Sequence, residues 1–118
     1  MEIIDLEYWL SELKHSDKLI LVEGKKDITA LTNLGINETN IVSLSKKDLF
    51  NLAEDISKKH KEIILLTDLD KEGKLLYGKL KKLFDEMGVK VDLTFREWLQ
   101  NNTKLSHIEG IDTYYEKN

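Results

Sequence analysis

The sequence predicts an α/β fold in which a mostly parallel, four-stranded sheet is flanked by helices. Two observations support this prediction. Short apolar runs alternate with amphipathic segments along the chain, and single glycines stand at the ends of several of these segments. Strands that alternate with helices form right-handed βαβ units around a parallel sheet. A length of 118 residues fits one domain, which we expect to occupy residues 1–118.

The spacing of apolar residues predicts four helices. The first three cover residues 2–14, 26–34 and 45–56, and the fourth presents the apolar residues of 76–87 on one face. Gly35 and Gly88 follow the second and fourth helices, where a left-handed residue commonly ends a helix. Ser45 and Asp48 form a capping-box-like start for the third helix. The helical segments are therefore delimited by recognisable signals at one end or the other.

Four apolar runs predict the strands of the sheet. They are Lys18–Val22, Thr39–Leu44, Glu62–Thr67 and Val89–Phe95. The first and third are continuously apolar, which is typical of parallel strands covered on both faces. Beyond Arg96 the pattern indicates no further strand or helix. We expect only a short extension there.

Composition excludes several classes of protein. The chain has no cysteine, which excludes disulfide scaffolds, zinc ribbons, iron–sulfur centres and thiol nucleophiles and favours the reducing cytoplasm. No apolar run approaches the ~20 residues that span a bilayer, so we expect no membrane partner. Seventeen lysines, one arginine and a net charge of −4 argue against tight, autonomous DNA binding.

Acidic residues follow two of the predicted strands. Glu23 ends the first strand, and Asp68, Asp70 and Glu72 follow the third. Reactive groups of parallel sheets gather at the carboxyl ends of the strands, and neighbouring strands lie ~4.8 Å apart. We therefore expect Glu23 and the aspartates to share a cleft that binds Mg²⁺, which prefers oxygen ligands. Alternatively, Asp70 simply caps the next helix and Glu72 complements its dipole.

The segments LVEGKKD at 21–27 and ILLTDLDKEGK at 64–74 resemble the Toprim domain. This domain is shared by type IA topoisomerases, bacterial primases, OLD-type nucleases and ribosomal-RNA maturation nucleases. The resemblance covers residues 17–95, with an N-terminal helix before it and a short extension after it. The chain is similar to small stand-alone Toprim proteins. The resemblance implies a Rossmann-like Toprim fold.

The resemblance also implies roles for the acidic residues. Glu23 would be the general acid or base in phosphodiester chemistry, Asp68 and Asp70 would bind Mg²⁺ or Mn²⁺, and Glu72 would assist them. The chain lacks the zinc-binding and polymerase modules of a primase and the nucleophile-bearing domains of a topoisomerase. Neither of those complete activities carries over.

Weaker signals lie near the predicted cleft. Gly24, Lys25 and Lys26 begin a helix, a place where phosphates bind well. Gly73 allows backbone to approach a ligand closely. Two further residues in the C-terminal extension are auxiliary acid–base or metal-binding candidates: His107 and Glu109. Tyr114 and Tyr115 are expected to pack or to form an interface, because nothing near them in sequence would activate a phenol.

The leading hypothesis is a Mg²⁺-dependent protein that acts on phosphodiester bonds in nucleic acid as a nuclease or nucleotidyl transferase. We expect DNA or RNA to bind weakly or with the help of a protein partner or a second copy. Two alternatives remain open. One is a non-catalytic Toprim module for binding or recruitment, and the other is a phosphoacceptor receiver-like signalling domain with an aspartate after its third strand.

Overall fold

A four-stranded sheet forms the centre of the computed structural model, which describes residues 2–44 and 48–117. The strands are β1 (Leu19–Val22), β2 (Ile41–Ser43), β3 (Glu62–Leu66) and β4 (Lys90–Asp92). The helices are α1 (Leu6–His15), α2 (Lys25–Asn33), α3 (Leu49–Ser57), α4 (Lys71–Glu86), α5 (Thr94–Asn102) and α6 (Ile111–Lys117). Two 3₁₀ turns cover Glu38–Asn40 and Ile108–Gly110. No helix in this described part of the chain is long and apolar enough to cross a membrane.

The strand order is β2-β1-β3-β4, and every strand pair within the described residues is parallel. This confirms the predicted α/β fold and its parallel sheet. All four residues of β1 are buried, as a strand covered on both faces requires. Ile20 and Val22 pack into a core with α1, α2 and α5, whereas Leu19 and Leu21 pack into a second core with α3 and α4. Successive side chains of β1 point to opposite faces of the sheet, so this one strand contributes to both cores.

Two predicted boundaries at the N-terminal side of the fold are wrong. The first helix begins at Leu6 and not at residue 2, because the side chain of Asp5 caps it by accepting a 2.8 Å hydrogen bond from the Tyr8 N–H. The predicted strand Thr39–Leu44 is shortened to β2. Its first two residues lie in the turn Glu38–Asn40, where the Asn37 side chain accepts from the Thr39 N–H.

The predicted strand Val89–Phe95 is also too long. Asp92 accepts a hydrogen bond from the Thr94 N–H, and this bond turns the chain from β4 into α5. The C-terminal part is larger than the predicted short extension, since it holds α5, the turn Ile108–Gly110 and α6. Neither α5 nor α6 was predicted from the sequence.

One of the two residues predicted to cap the third helix lies within the described residues. Asp48 caps α3 by accepting from the Asn51 N–H at 2.8 Å. Its predicted capping partner, Ser45, lies outside the described residues.

A partly buried ion-pair cluster joins Lys18, the residue before β1, to the start of β3 and to β4, on the side of the sheet away from Glu23 and Asp68. The Lys18 ammonium lies 2.9 Å from Asp92 and 3.3 Å from Glu62. Burial alone would raise the pKa of Asp92, but hydrogen bonds from Lys18 and Thr94 lower it below its ordinary value. The lowered pKa means that the pair stabilises the folded state above pH 3.8, and that this contribution is lost as the pH falls through the folded value.

Asp92→Asn should lower the free energy of unfolding by about 1 kcal/mol at pH 7, because asparagine keeps the bond to Thr94 but loses the charge. Urea denaturation at several pH values measures this difference, which should shrink toward zero below the ordinary Asp92 pKa. As a control, Asp85→Asn removes an exposed pair with Lys81 and should cost about 0.3–0.5 kcal/mol. A difference for Asp92→Asn that stays constant down to pH 2 would contradict the electrostatic account.

Candidate metal centre

The parallel pairing of β1 with β3 brings the acidic segments together. Val22 lies opposite Leu66 in the sheet, so both strands end at the same edge. A carboxylate oxygen of Glu23 accepts a 2.7 Å hydrogen bond from the backbone N–H of Asp68, 45 positions along the chain. The predicted proximity of these two segments is therefore confirmed.

The loop between β3 and α4 is tightly closed. Asp70 caps α4, since one of its carboxylate oxygens accepts a 2.8 Å hydrogen bond from the Gly73 N–H. The buried Thr67 hydroxyl donates to the Gly73 carbonyl at 2.8 Å. A Cβ atom at residue 73 would overlap the backbone carbonyl of Asp68. Gly73 thus allows the backbone of α4 to approach the backbone of Asp68 closely. Contact between Gly73 and a ligand remains a prediction.

The C-terminal segment folds onto this loop. The Leu69 N–H donates to the Ser106 carbonyl at 2.8 Å, and the Ile108 N–H donates to the Asp68 carboxylate at 2.9 Å. His107 lies between these two bonds, and its Nε2 is 3.3 Å from the second carboxylate oxygen of Asp70. The backbone on both sides of His107 therefore holds it beside the acidic loop.

Three side chains converge closely enough to bind one cation. Asp68, Asp70 and His107 each offer a ligand atom, and these atoms all lie within 4.8 Å of one another. Carboxylate oxygens suit Mg²⁺ and Mn²⁺, and an imidazole nitrogen suits later transition metals. This donor set fits a divalent metal ion.

The other predicted acidic residues lie around this group. Glu72 is exposed in the first turn of α4 and is not part of the converging set found among the described residues. The exposed Glu109 lines a cavity of about 310 Å³ together with Glu23 and Asp68. Gly24, Lys25 and Lys26 line the same cavity from the start of α2. The roles predicted for these residues remain predictions.

The pKa values of two acidic residues, Glu23 and Asp27, are raised above their ordinary values. Burial raises the pKa of Glu23, and the charges of Asp68, Asp27 and Asp70 add to this, while the hydrogen bond from the Asp68 N–H opposes it. Burial also raises the pKa of Asp27, with further increases from Asp68 and Glu109. A divalent cation in the cluster would relieve this repulsion.

Arg96 was not predicted as part of the site. It is only 6% exposed, and its guanidinium donates to the carbonyls of Thr67 at 3.2 Å and Asp68 at 2.7 Å. It also stacks over the Tyr77 ring, 4.7 Å from the centroid, and burial raises the pKa of Tyr77 to about 12. The one available signal was that Arg96 is the single arginine among seventeen lysines.

Asp27 is a second residue near the site that was not predicted from the sequence. It is 6% exposed and accepts a 3.0 Å hydrogen bond from the Gly24 N–H, so it fixes the turn that follows Glu23. Its position three residues after Gly24, in the first turn of α2, is the signal that could have identified it.

Comparisons with known proteins agree with this architecture. The Toprim domain family matches residues 18–98. A UPF0292 protein from Methanosarcina acetivorans is 37% identical over 110 residues, which span 92% of this chain and 76% of the relative. A UPF0292 protein from Methanocaldococcus jannaschii is 32% identical over 109 residues, which span 90% of this chain and 84% of the relative.

A solved structure, described as a putative protein from Aquifex aeolicus, is similar in fold as well as in sequence. It superposes with a TM-score of 0.80 at 36% identity, covering 89% of this chain and 96% of that chain. The resemblance carried by Glu23-Gly24 and by Asp68 to Gly73 thus extends over most of the sequence. The chain belongs to the Toprim domain family.

Proposed function

We propose that this protein catalyses metal-dependent phosphodiester chemistry on nucleic acid, as a nuclease or a nucleotidyl transferase. The single observation that carries the proposal is the convergence of Asp68, Asp70 and His107 beside the Glu23 carboxylate. Membership of the Toprim family implies a metal-dependent role related to nucleic acid. The reaction type and the identity of the metal are our proposal.

Asp68 and Asp70 are the proposed ligands of Mg²⁺ or Mn²⁺, and His107 is a proposed additional ligand. A bound divalent ion would stabilise negative charge on the phosphate under attack. The Asp70 carboxylate keeps one oxygen on the Gly73 N–H and turns the other toward His107. Helix capping and metal binding are therefore compatible in this one side chain.

Glu23 is the proposed general acid or base. It lies outside the converging group, and the Asp68 N–H holds its carboxylate in place. The raised pKa of Glu23 suits proton transfer, because a carboxyl group that titrates closer to neutral pH can both hold and release a proton during turnover. Lys25 and Lys26 supply positive charge beside it for a substrate phosphate.

Millimolar Mg²⁺ or Mn²⁺ should raise the melting temperature of the wild type, and Asp68→Asn with Asp70→Asn should abolish the rise. A ligand at 100 times its Kd stabilises the folded state by about 2.7 kcal/mol, on the order of 10 °C for a chain of this size. Asparagine can still accept the bonds from Ile108 and Gly73, so the fold should survive the substitutions. Differential scanning calorimetry with a metal titration measures the effect.

The matched control is Asp85→Asn with Glu86→Gln, which removes two exposed acids from the far end of α4. This variant should show the full metal-dependent rise. The metal-site proposal fails if neither ion raises the melting temperature of the wild type, or if both double variants respond equally.

A further inference from the structure

A second cavity opens beside the metal centre, on the C-terminal side of His107. Its volume is about 460 Å³, within the range of small-molecule sites. His107 and Glu109 line it, and Glu109 also lines the cavity that contains Glu23. The lining comes from residues 104–117, which lie beyond the Toprim match at 18–98. The cavity is therefore a feature added to the Toprim core.

The walls of this cavity are anchored to the rest of the protein. Ile108 and Ile111 are fully buried in the core that contains α2. The Asn33 amide donates a 2.9 Å hydrogen bond to Asp112, which ties α6 to the end of α2. The Ile108 N–H bond to Asp68 fixes the cavity's edge against the acidic loop. These separate contacts hold the walls of the cavity beside the metal centre.

The lining combines an aromatic ring with two cations. Tyr114 and Leu105 provide apolar surface, and Lys104 and Lys117 stand at the same cavity. Within residues 2–44 and 48–117, neither lysine has an ion-pair partner. Aromatic rings stack on single nucleobases, and lysines neutralise the phosphates that link them. The chain's net charge of −4 opposes the approach of an anion, so an anionic ligand would depend on local contacts with these two lysines.

We infer that this cavity is a nucleotide subsite, which binds one residue of a single-stranded nucleic acid. Its base stacks on Tyr114, Lys104 and Lys117 contact the flanking phosphates, and the strand continues past His107 to the metal centre. A duplex does not fit this mode, because its bases are already stacked on one another. The inference rests on the proposed function for the direction of the strand, but binding to the cavity can be measured without catalysis.

Binding of fluorescein-labelled dT12 and rU12 in EDTA, followed by fluorescence anisotropy, tests the subsite without cleavage. Tyr114→Ser should weaken binding about tenfold, the lower part of the range for one base–aromatic stack, and Tyr114→Phe should bind like the wild type. Tyr8→Ser is the control, because Tyr8 is an exposed tyrosine on α1 that lines a different cavity. The ratio of dT12 to rU12 affinity shows which sugar the subsite prefers.

The salt dependence tests the lysines separately. Lys104→Gln with Lys117→Gln should reduce the slope of log K against log salt by about 1.4, since each phosphate contact on a single strand contributes about 0.7. Lys58→Gln with Lys59→Gln makes the same change in net charge at the far end of α3 and should leave the slope unchanged. Equal effects of the two pairs would overturn the assignment.

Photocrosslinking identifies the residue that contacts the base. An oligonucleotide with 5-iodouracil should crosslink to Tyr114, as mapped by mass spectrometry, and an excess of blunt duplex should not compete. Crosslinking confined to other residues, or full competition by duplex, would overturn the proposal.

Asp68→Asn with Asp70→Asn should retain the Tyr114-dependent binding. If neither metal ion raises the melting temperature of the wild type but Tyr114-dependent binding persists, the proposed function alone is rejected. If the oligonucleotides bind equally well without the Tyr114 ring, the subsite alone is rejected.

Discussion

Gly73→Ala should lower the free energy of unfolding by about 3 kcal/mol or more, one of the largest effects expected from a single methyl group in this chain. The new Cβ would overlap the backbone carbonyl of Asp68, which also accepts a 2.7 Å hydrogen bond from Arg96. Neither the carbonyl nor the buried guanidinium can move without disturbing the core. Urea denaturation followed by circular dichroism measures the change.

Gly78→Ala in the same helix is the matched control. A Cβ at Gly78 meets no atom within 4 Å, so alanine adds helix propensity without a clash. This variant should be more stable than the wild type by about 0.5–1 kcal/mol. The two substitutions are chemically identical and lie on one helix, yet they should change stability in opposite directions. A Gly73→Ala protein as stable as the wild type would contradict the described geometry of the loop.

Asp68 explains why the site depends on several distant parts of the chain. Its N–H donates to Glu23, its carbonyl accepts from Arg96, and its carboxylate accepts from the Ile108 N–H. These partners lie after β1, in α5 and in the C-terminal segment. The first two bonds fix the Asp68 backbone and the third orients its carboxylate, so the ligand position is fixed before any metal binds.

The parts of the fold that the sequence predicted are those determined by local patterns. Both β1 and β3 are short apolar runs because both of their faces are covered, and this composition identified them without knowledge of their neighbours. Placing Glu23 near Asp68 then required only the rule that functional groups gather at one end of a parallel sheet. The local signal and the general rule together were enough to predict the acidic centre.

The missed parts depend on contacts that no local pattern encodes. Arg96 lies in α5, where its charge resembles that of an exposed residue, yet two backbone carbonyls and the Tyr77 ring compensate for its burial. The helix α5 buries only two apolar side chains, Phe95 and Leu99, together with Arg96. Two apolar positions are too few to predict a helix from their spacing. Similarly, His107 meets Asp70 only because the chain returns from α5 to the acidic loop.

Glu23→Gln should reduce metal-dependent cleavage of nucleic acid by about 10²- to 10⁴-fold, the range that general acid–base catalysis contributes. Glutamine keeps an oxygen that can accept the Asp68 N–H, so the loop should hold its shape while the proton-transferring group is lost. Single- and double-stranded DNA and RNA, incubated with Mn²⁺ and resolved on denaturing gels, provide the measurement.

Two accompanying measurements make the Glu23→Gln result specific. The variant should retain the metal-dependent rise in melting temperature, because Glu23 is outside the group formed by Asp68, Asp70 and His107. Glu86→Gln, an exposed substitution at the end of α4, should cleave at the wild-type rate. Equal cleavage by Glu23→Gln and wild type would show that the activity does not pass through Glu23. Loss of the metal response together with activity would instead make Glu23 a ligand, because only a group that binds the ion contributes to its stabilisation of the folded state.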